Sequence, residues 1–210
     1  MINRLSKISS IIFPNKKINF FIITILFLGV ISGAIFSNII DLNDQKLIVD
    51  KIELLITNIN NQDINSLIAF KNSILTNLSY SLIIWILGLT IIGLIFNIFL
   101  LYIKGFIFGF SLSAFIITYS YKGIILSILY TLFGQLLNLI VVMILTIYST
   151  MFTLNLIKQI IKSKVTTNIP KQFKNYSLIF LITLIISMIS SISEAFLFPT
   201  LIKIIIKLFI

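Results

Sequence analysis

The sequence predicts an all-α, polytopic membrane protein with about five transmembrane helices, and two observations lead to this fold class. Hydrophobic residues make up 59% of the 210 residues, and charged residues make up only 10%. A soluble domain has roughly 25% charged residues, so this chain lacks the polar side chains that would cover a globule in water. The apolar residues are also gathered into blocks, several of them near the ~20 residues that a helix needs to cross a bilayer.

The formal net charge of +10 does not indicate a nucleic-acid-binding protein. The basic residues flank the apolar blocks, which is typical of topology signals, and they form no patch or known nucleic-acid motif. The chain has no Cys and no His, which excludes disulfides, His-ligated zinc and a Ser-His-Asp triad. A GxxxxGK[ST] phosphate-binding loop is also absent. We therefore predict no catalytic residue, no metal ligand and no cofactor, and we do not expect an enzyme.

The first transmembrane helix is predicted over 18–40, after a cytoplasmic N-terminal segment, 1–17, that carries four basic residues and no acid. A signal peptide has a shorter apolar core of about 7–15 residues, so we expect this helix to be retained. Gly29 and Gly33 form a GxxxG pair, which allows a second helix to approach closely. The alternative is that these small residues have no special partner.

The stretch 41–79 is the only sizeable polar part of the chain, with five acids and three lysines. Leu and Ile residues recur at helical spacing on both sides of the Asn-Asn-Gln-Asp at 60–63. We therefore predict an extracytoplasmic helical loop, built as a hairpin of two amphipathic helices on the membrane surface. This loop is the segment that we favour for binding a partner.

The second span is predicted over 80–103, ending at Lys104, and the third over 105–121. The third would be only about 25 Å long as a helix, so it must stand upright or thin the bilayer. Gly105 and Gly109 form a second GxxxG pair at its start.

The apolar stretch 123–157 is too long for one straight span, because it would measure about 52 Å against a hydrocarbon core of about 30 Å. We expect a break at Gly134, which gives a short interfacial or re-entrant helix over 123–133 and a fourth span over 135–157. Gln135 and Asn138 lie one helical turn apart and share a face.

A basic cytoplasmic loop over 158–175 follows, with five lysines. The fifth span is predicted over 176–198, where Pro199 stops or kinks it, and 199–210 is an interfacial tail. Loops rich in Lys and Arg stay in the cytoplasm, so the N-terminus is predicted inside. Five spans then place the C-terminus and the acidic stretch 41–79 outside.

Glu194 is the only acid within a predicted span, and an ionisable group at membrane depth costs at least about 2.5 kcal/mol. Three interpretations stay open: a polar lock between helices, a position at the interface, or an ion-handling site for transport. Hydrogen bonds across the bundle are the favoured role for the amides of Asn97, Gln135 and Asn138, with a substrate site as the alternative. The candidate intramembrane polar and packing residues are Asn97, Lys104, Gly105, Gly109, Gln135, Asn138, Glu194 and Pro199.

The chain resembles the stage II sporulation protein M family in several segments. They are Gly29-Val-Ile-Ser-Gly33, Trp85-Ile-Leu-Gly-Leu-Thr-Ile-Ile-Gly93, Lys104-Gly-Phe-Ile-Phe-Gly-Phe110 and Glu194-Ala-Phe-Leu-Phe-Pro199. The length and the five-span layout fit as well. One departure is that Gly134-Gln135-Leu-Leu-Asn138 stands where the family tends to have a Pro-Gln-Asn break.

The resemblance implies a role in endospore engulfment, in the mother-cell or septal membrane. Proteins of this family are thought to anchor a peptidoglycan-degrading machine that contains a sporulation amidase and a lytic transglycosylase, so those two enzymes and membrane lipid are the implied partners. The resemblance does not determine an oligomeric state. The competing hypotheses are a transporter or channel, or a permease subunit of a separate ATPase, using Glu194 and the broken 123–157 stretch.

Overall fold

The structure is a computed structural model that describes residues 15–61, 65–131, 135–161 and 168–209, and no β-strand occurs among them. The helices are α1 (Lys16–Ile39), α2 (Leu42–Asn60), α3 (Ser66–Gly88), α4 (Gly93–Tyr130), α5 (Leu136–Ile161), α6 (Ile169–Ile192) and α7 (Phe198–Phe209). A π-helical turn, Ser193–Leu197, joins α6 to α7. Several predicted features lie outside the described residues: most of the N-terminal segment, the break at Gly134, Asp63, and the lysines at 162 and 164.

Five helical stretches are long and apolar enough to cross a bilayer, which confirms the all-α fold class and the predicted number of spans. They are Lys16–Ile39, Ser66–Gly88, Gly93–Tyr130, Leu136–Ile161 and Ile169–Ile204. Large apolar side chains on their outer surfaces are exposed, as lipid-facing side chains are. Phe20, Phe27 and Ile95 are examples. The chain is therefore a multi-pass membrane protein.

The turn between the second and third spans lies at 89–92 and not at Lys104, as the sequence had predicted. The hydroxyl of Thr90 accepts a hydrogen bond from the Gly93 N–H at 3.0 Å, which caps the start of α4. A Cβ on Gly93 would overlap the carbonyl oxygen of Leu87. The turn is thus too tight for a larger residue at Gly93. The sequence did not reveal its position because Leu89, Ile91 and Ile92 continue the apolar stretch.

The second span also begins earlier than the predicted residue 80, because α3 runs without a break from Ser66 to Gly88. Only the first half of the predicted amphipathic hairpin is a separate helix, α2. The second half is the beginning of α3. Its polar residues were assigned to an outer loop, but Asn77 is only 4% exposed and faces the protein interior.

Close contact between α1 and α4 is made by the two GxxxG pairs, which face each other. A Cβ on Gly33 would overlap the carbonyl oxygen of Phe106, and one on Gly109 would overlap that of Val30. Gly29 and Gly105 are similarly close to the backbone of the opposite helix. Of the two interpretations of the Gly29–Gly33 pair, the one with a specific partner is therefore correct.

The chain turns back on itself at Ser120, within the long α4 element. Ser120 has φ 51° and ψ −128°, close to the first central residue of a type II′ turn. Gly123 lies against the backbone of Phe115 and Ile116, so the short helix that ends at Tyr130 packs back on the third span. A short helix before the fourth span was predicted, over 123–133.

A small apolar cluster holds α2 and α7 against this returning segment. Ile56 and Ile59 of α2 pack with Phe115, Phe198 and Ile202, and Ile202 is fully buried. The helix continues past Pro199, and the stretch that is apolar enough to cross the bilayer runs to Ile204. The sequence predicted that the span stops or kinks at Pro199, where the structure has a π-helical turn directly before it, and that an interfacial tail follows.

Candidate functional site

A polar cavity of about 310 Å³ lies among α3, α4, α5 and the π-helical turn. We refer to it as the polar cavity. Four helical segments that are distant in sequence contribute to it, and it holds two opposite charges. Its lining residues are Ala69, Asn72, Ser73, Thr76, Asn77, Lys104, Gln135, Asn138, Glu194 and Ala195.

The α3 wall of the cavity is a stripe of small polar side chains at helical spacing. Within this stripe, the Ser73 hydroxyl donates a hydrogen bond of 2.6 Å to Oε2 of Glu194. Asn77, one turn further on, donates to the Ser191 hydroxyl at 3.0 Å and to that of Ser73 at 3.3 Å. The stripe thus ties α3 to α6 and fixes the Glu194 carboxylate.

Asn138 joins α5 to the same network from the far wall. Its Nδ2 donates to Oδ1 of Asn77. Its own Oδ1 is buried and has no hydrogen-bond partner among the described residues, although Asn138 is only 2% exposed. The hydrogen-bond network beside the cavity therefore contains a buried acceptor without a partner among the described residues.

The two charged residues of the cavity, Lys104 and Glu194, are near enough to interact electrostatically. Within the described part of the chain, no direct ion pair joins them. The Lys104 amino group lies 5.4 Å from the centroid of the Tyr80 ring, and the aromatic face favours its charge. Lys104 was predicted to end a span, but it lies inside α4 because the cavity supplies these partners.

The π-helical turn positions Glu194 at the cavity. The Phe198 N–H donates to the Ser193 carbonyl, five residues earlier, where a regular helix would use Glu194. Pro199 has no N–H, and its ring would clash with the carbonyl four residues before it in a regular helix. The widened turn accommodates Pro199 and changes the register of Glu194. Such turns are frequent at functional sites.

Gln135 closes one side of the polar cavity through Tyr130, whose hydroxyl accepts a hydrogen bond from Nε2 of Gln135 at 2.6 Å. Tyr130 also lines a second cavity of about 380 Å³. That cavity is largely apolar and lies between α2 and α4. The Tyr130 ring contacts those of Phe198, edge to face, and Phe115, at a tilt, with centroids 5.0 and 5.1 Å away.

Asn97 lies apart from the polar cavity, at the turn between the second and third spans. It donates to the carbonyl oxygen of Ile84 at 3.0 Å and to the Ser149 hydroxyl at 2.5 Å. The Thr153 hydroxyl donates to the Gly88 carbonyl nearby, at 2.8 Å. These bonds connect α3, α4 and α5, as the hydrogen-bonding role predicted for the buried amides requires.

The structure brings together four of the eight predicted residues, namely Lys104, Gln135, Asn138 and Glu194. Gly105 and Gly109 form the contact with α1, and Pro199 follows the π-helical turn. The polar residues of α3 were missed as site residues. A signal was present, because Ser73 and Asn77 lie four residues apart on one face, next to Asn72 and Thr76.

A family model for stage II sporulation protein M matches residues 21–199. The match includes every residue that lines the polar cavity. Comparisons with curated proteins and with solved structures gave no match. Since the matched segment runs from the first span through the π-helical turn to Pro199, the chain belongs to the stage II sporulation protein M family, whose membership indicates a sporulation-related membrane protein.

Proposed function

We propose that this protein is a non-enzymatic membrane scaffold that localises a peptidoglycan-degrading complex during septal wall thinning and forespore engulfment. Family membership is the observation that carries the proposal. The partners are a sporulation amidase and a lytic transglycosylase, and the location is the septal membrane of the mother cell.

The surface proposed for these partners is the exposed part of α2, which includes the rim of the second cavity at Leu47. Leu47 and Leu54 are 59% and 63% exposed, and Asp50 and Glu53 are exposed beside them. The opposite face is held to the bundle through Ile56 and Ile59. Exposed apolar residues rimmed by charges are typical of a protein-binding surface.

The hydrogen bonds around the polar cavity support a scaffold in a different way. They join α3 to α6 and α5, and each is made between parts of the same chain. Hydrogen bonds of this kind stabilise membrane bundles by about 0.6 kcal/mol each. A scaffold needs such a stable bundle to present α2 in a fixed position.

Co-purification of the full chain with the sporulation amidase and transglycosylase tests the scaffold proposal. We expect both enzymes to be retained by the native chain and by Glu194→Gln. We expect the double variant Leu47→Ser/Leu54→Ser to lose them, while Leu42→Ser, a change of an exposed residue at the start of the same helix, retains them. Failure of the native chain to bind either enzyme contradicts the scaffold. Full retention by the double variant contradicts the choice of α2.

Transport is the second candidate function, and the polar cavity with its two charges is the observation that favours it. A channel, a transporter or the permease subunit of an ATPase would use Glu194 to move an ion or solute. Ion flux in proteoliposomes that disappears in Glu194→Gln, but not in Glu53→Gln, would support this function. Absence of flux together with retained binding of the enzymes would support the scaffold.

A further inference from the structure

We propose that the polar cavity is a binding site for a small zwitterion, with an ammonium group near Glu194 and an anionic group near Lys104. This inference goes beyond the scaffold role and does not depend on it. The volume of about 310 Å³ is at the lower end of small-molecule sites, which are about 300–1,000 Å³. The cavity therefore suits a ligand of amino-acid size.

The charges of the cavity determine the class of ligand. A simple cation attracted by Glu194 would be repelled by the positive charge of Lys104. A simple anion attracted by Lys104 would be repelled by the negative charge of Glu194. Because no direct ion pair joins Lys104 and Glu194 within the described residues, neither charge is fully neutralised by the other. A molecule that carries both charges complements both walls at once.

The remaining lining favours a ligand that forms many hydrogen bonds. Asn72, Thr76 and Gln135 line the cavity beside the two charges. Asn138 also contributes to the lining. A ligand with several hydrogen-bonding groups would pair with these side chains.

The apolar part of the lining limits the side chain of the ligand. Among the described residues of the lining, only Ala69 and Ala195 lack a polar side-chain group. A methyl group fits such a wall, whereas a large apolar side chain would have to displace hydrogen-bonded amides. We therefore expect alanine to bind better than phenylalanine.

The same pair of charges occurs on the headgroup of phosphatidylethanolamine, so a free solute and a lipid are two possible sources of one ligand chemistry. In nanodiscs of phosphatidylglycerol alone, no lipid headgroup is zwitterionic, so only an added solute can supply the ligand. Comparison with nanodiscs that also contain phosphatidylethanolamine distinguishes the two sources. If the lipid headgroup occupies the cavity, an added solute will bind more weakly there. If the ligand is only a free solute, its binding will be equal in both.

Calorimetric titration of the full chain in phosphatidylglycerol nanodiscs tests the proposal. The probes are L-alanine, glycerophosphoethanolamine, L-phenylalanine, and an equimolar mixture of acetate and methylammonium. We expect saturable binding of at least one of the first two, and at least tenfold weaker binding of the mixture and of phenylalanine. The proposal is overturned if neither alanine nor glycerophosphoethanolamine binds, or if the mixture binds as well as they do.

Charge variants locate the binding in the polar cavity. Glu194→Gln and Lys104→Met are each expected to weaken the zwitterion at least tenfold. The matched controls Asp44→Asn and Lys46→Met, at two exposed charges of α2, are expected to leave it unchanged. Ala69→Phe, which fills the cavity without removing a charge, provides a further variant if a charge variant fails to fold. Unchanged binding in Ala69→Phe would place the ligand elsewhere and overturn the assignment.

Discussion

Lys104 and Glu194 place opposite charges inside the helix bundle, and each has further neighbours that reduce the cost of burial. The carboxylate accepts a hydrogen bond from Ser73, and the amino group lies over the ring of Tyr80. An isolated charge in a membrane span is unfavourable by at least about 2.5 kcal/mol. The two residues should therefore depend on each other for stability.

A double-mutant cycle measures this dependence. We expect Lys104→Met and Glu194→Gln each to lower the free energy of unfolding in detergent micelles, because each leaves the other charge without its counterpart. The double variant should lose less than the sum, with a coupling of about 0.5–3 kcal/mol. Strictly additive losses would show that the two charges act independently, contrary to this interpretation.

Ser120 is the described non-glycine residue with a positive φ, 51°, a value that side chains with a Cβ rarely adopt. Glycine is the preferred residue at the equivalent position of a type II′ turn. We expect Ser120→Gly to raise the free energy of unfolding by up to about 1 kcal/mol, and Ser120→Val to lower it by about 1–2 kcal/mol. Chemical unfolding in micelles measures both. If Ser120→Gly were destabilising and Ser120→Val had no effect, the assignment of a positive φ to residue 120 would be contradicted.

The contact between α1 and α4 depends on glycine because backbone meets backbone there. Gly33→Leu would force the helices apart at the carbonyl of Phe106, and overpacking of this kind costs about 1–3 kcal/mol. Ile35→Ala, on the exposed side of α1, is the control and should have a much smaller effect. The measurement is again the free energy of unfolding. Equal effects of the two variants would mean that the glycine contact is not required.

The helices differ in how well the sequence predicted them, and the reason lies in where polar residues are placed. The first, fourth and fifth spans are apolar enough over their length for hydropathy to locate them. The second span begins at Ser66, but its polar face, including Ser73 and Asn77, makes its first half resemble a surface helix. Lys104 predicts a boundary because a charge usually ends a span, but here it lies within α4. Both differences arise from the polar cavity, which sequence periodicity alone does not reveal.

The sequence predicted four residues of the candidate site, but neither its α3 wall nor the way its parts assemble. Glu194, Gln135 and Asn138 were selected because polar groups at membrane depth need partners. Which partners they find depends on tertiary contacts between segments as distant as α3 and the π-helical turn. The π-helical turn itself follows from Pro199, but a proline predicts a disturbance of the helix rather than its form.

The bundle as a whole is organised around α5, the most buried of the five spans. Its neighbours include α1, α3, α4 and α6, and its buried face carries Val141, Val142 and Leu145. The polar cavity lies near the start of α5, the end of the bundle where α2 is packed. A ligand in the cavity and a partner on α2 would therefore be on the same side of the membrane.

Single cysteines can test this arrangement cleanly, because the chain has no cysteine of its own. Asn43→Cys lies at the exposed start of α2, and Lys171→Cys at the exposed start of α6. Three spans separate these positions, so five crossings require that they lie on opposite sides. The basic segments flanking the bundle predict that α6 starts in the cytoplasm.

In intact cells we expect a membrane-impermeant maleimide to label Asn43→Cys, and Lys171→Cys only after permeabilisation. The reversed result would invert the orientation and place the polar cavity on the cytoplasmic side, where it would be separated from the wall. Labelling of both before permeabilisation would contradict the five-span arrangement.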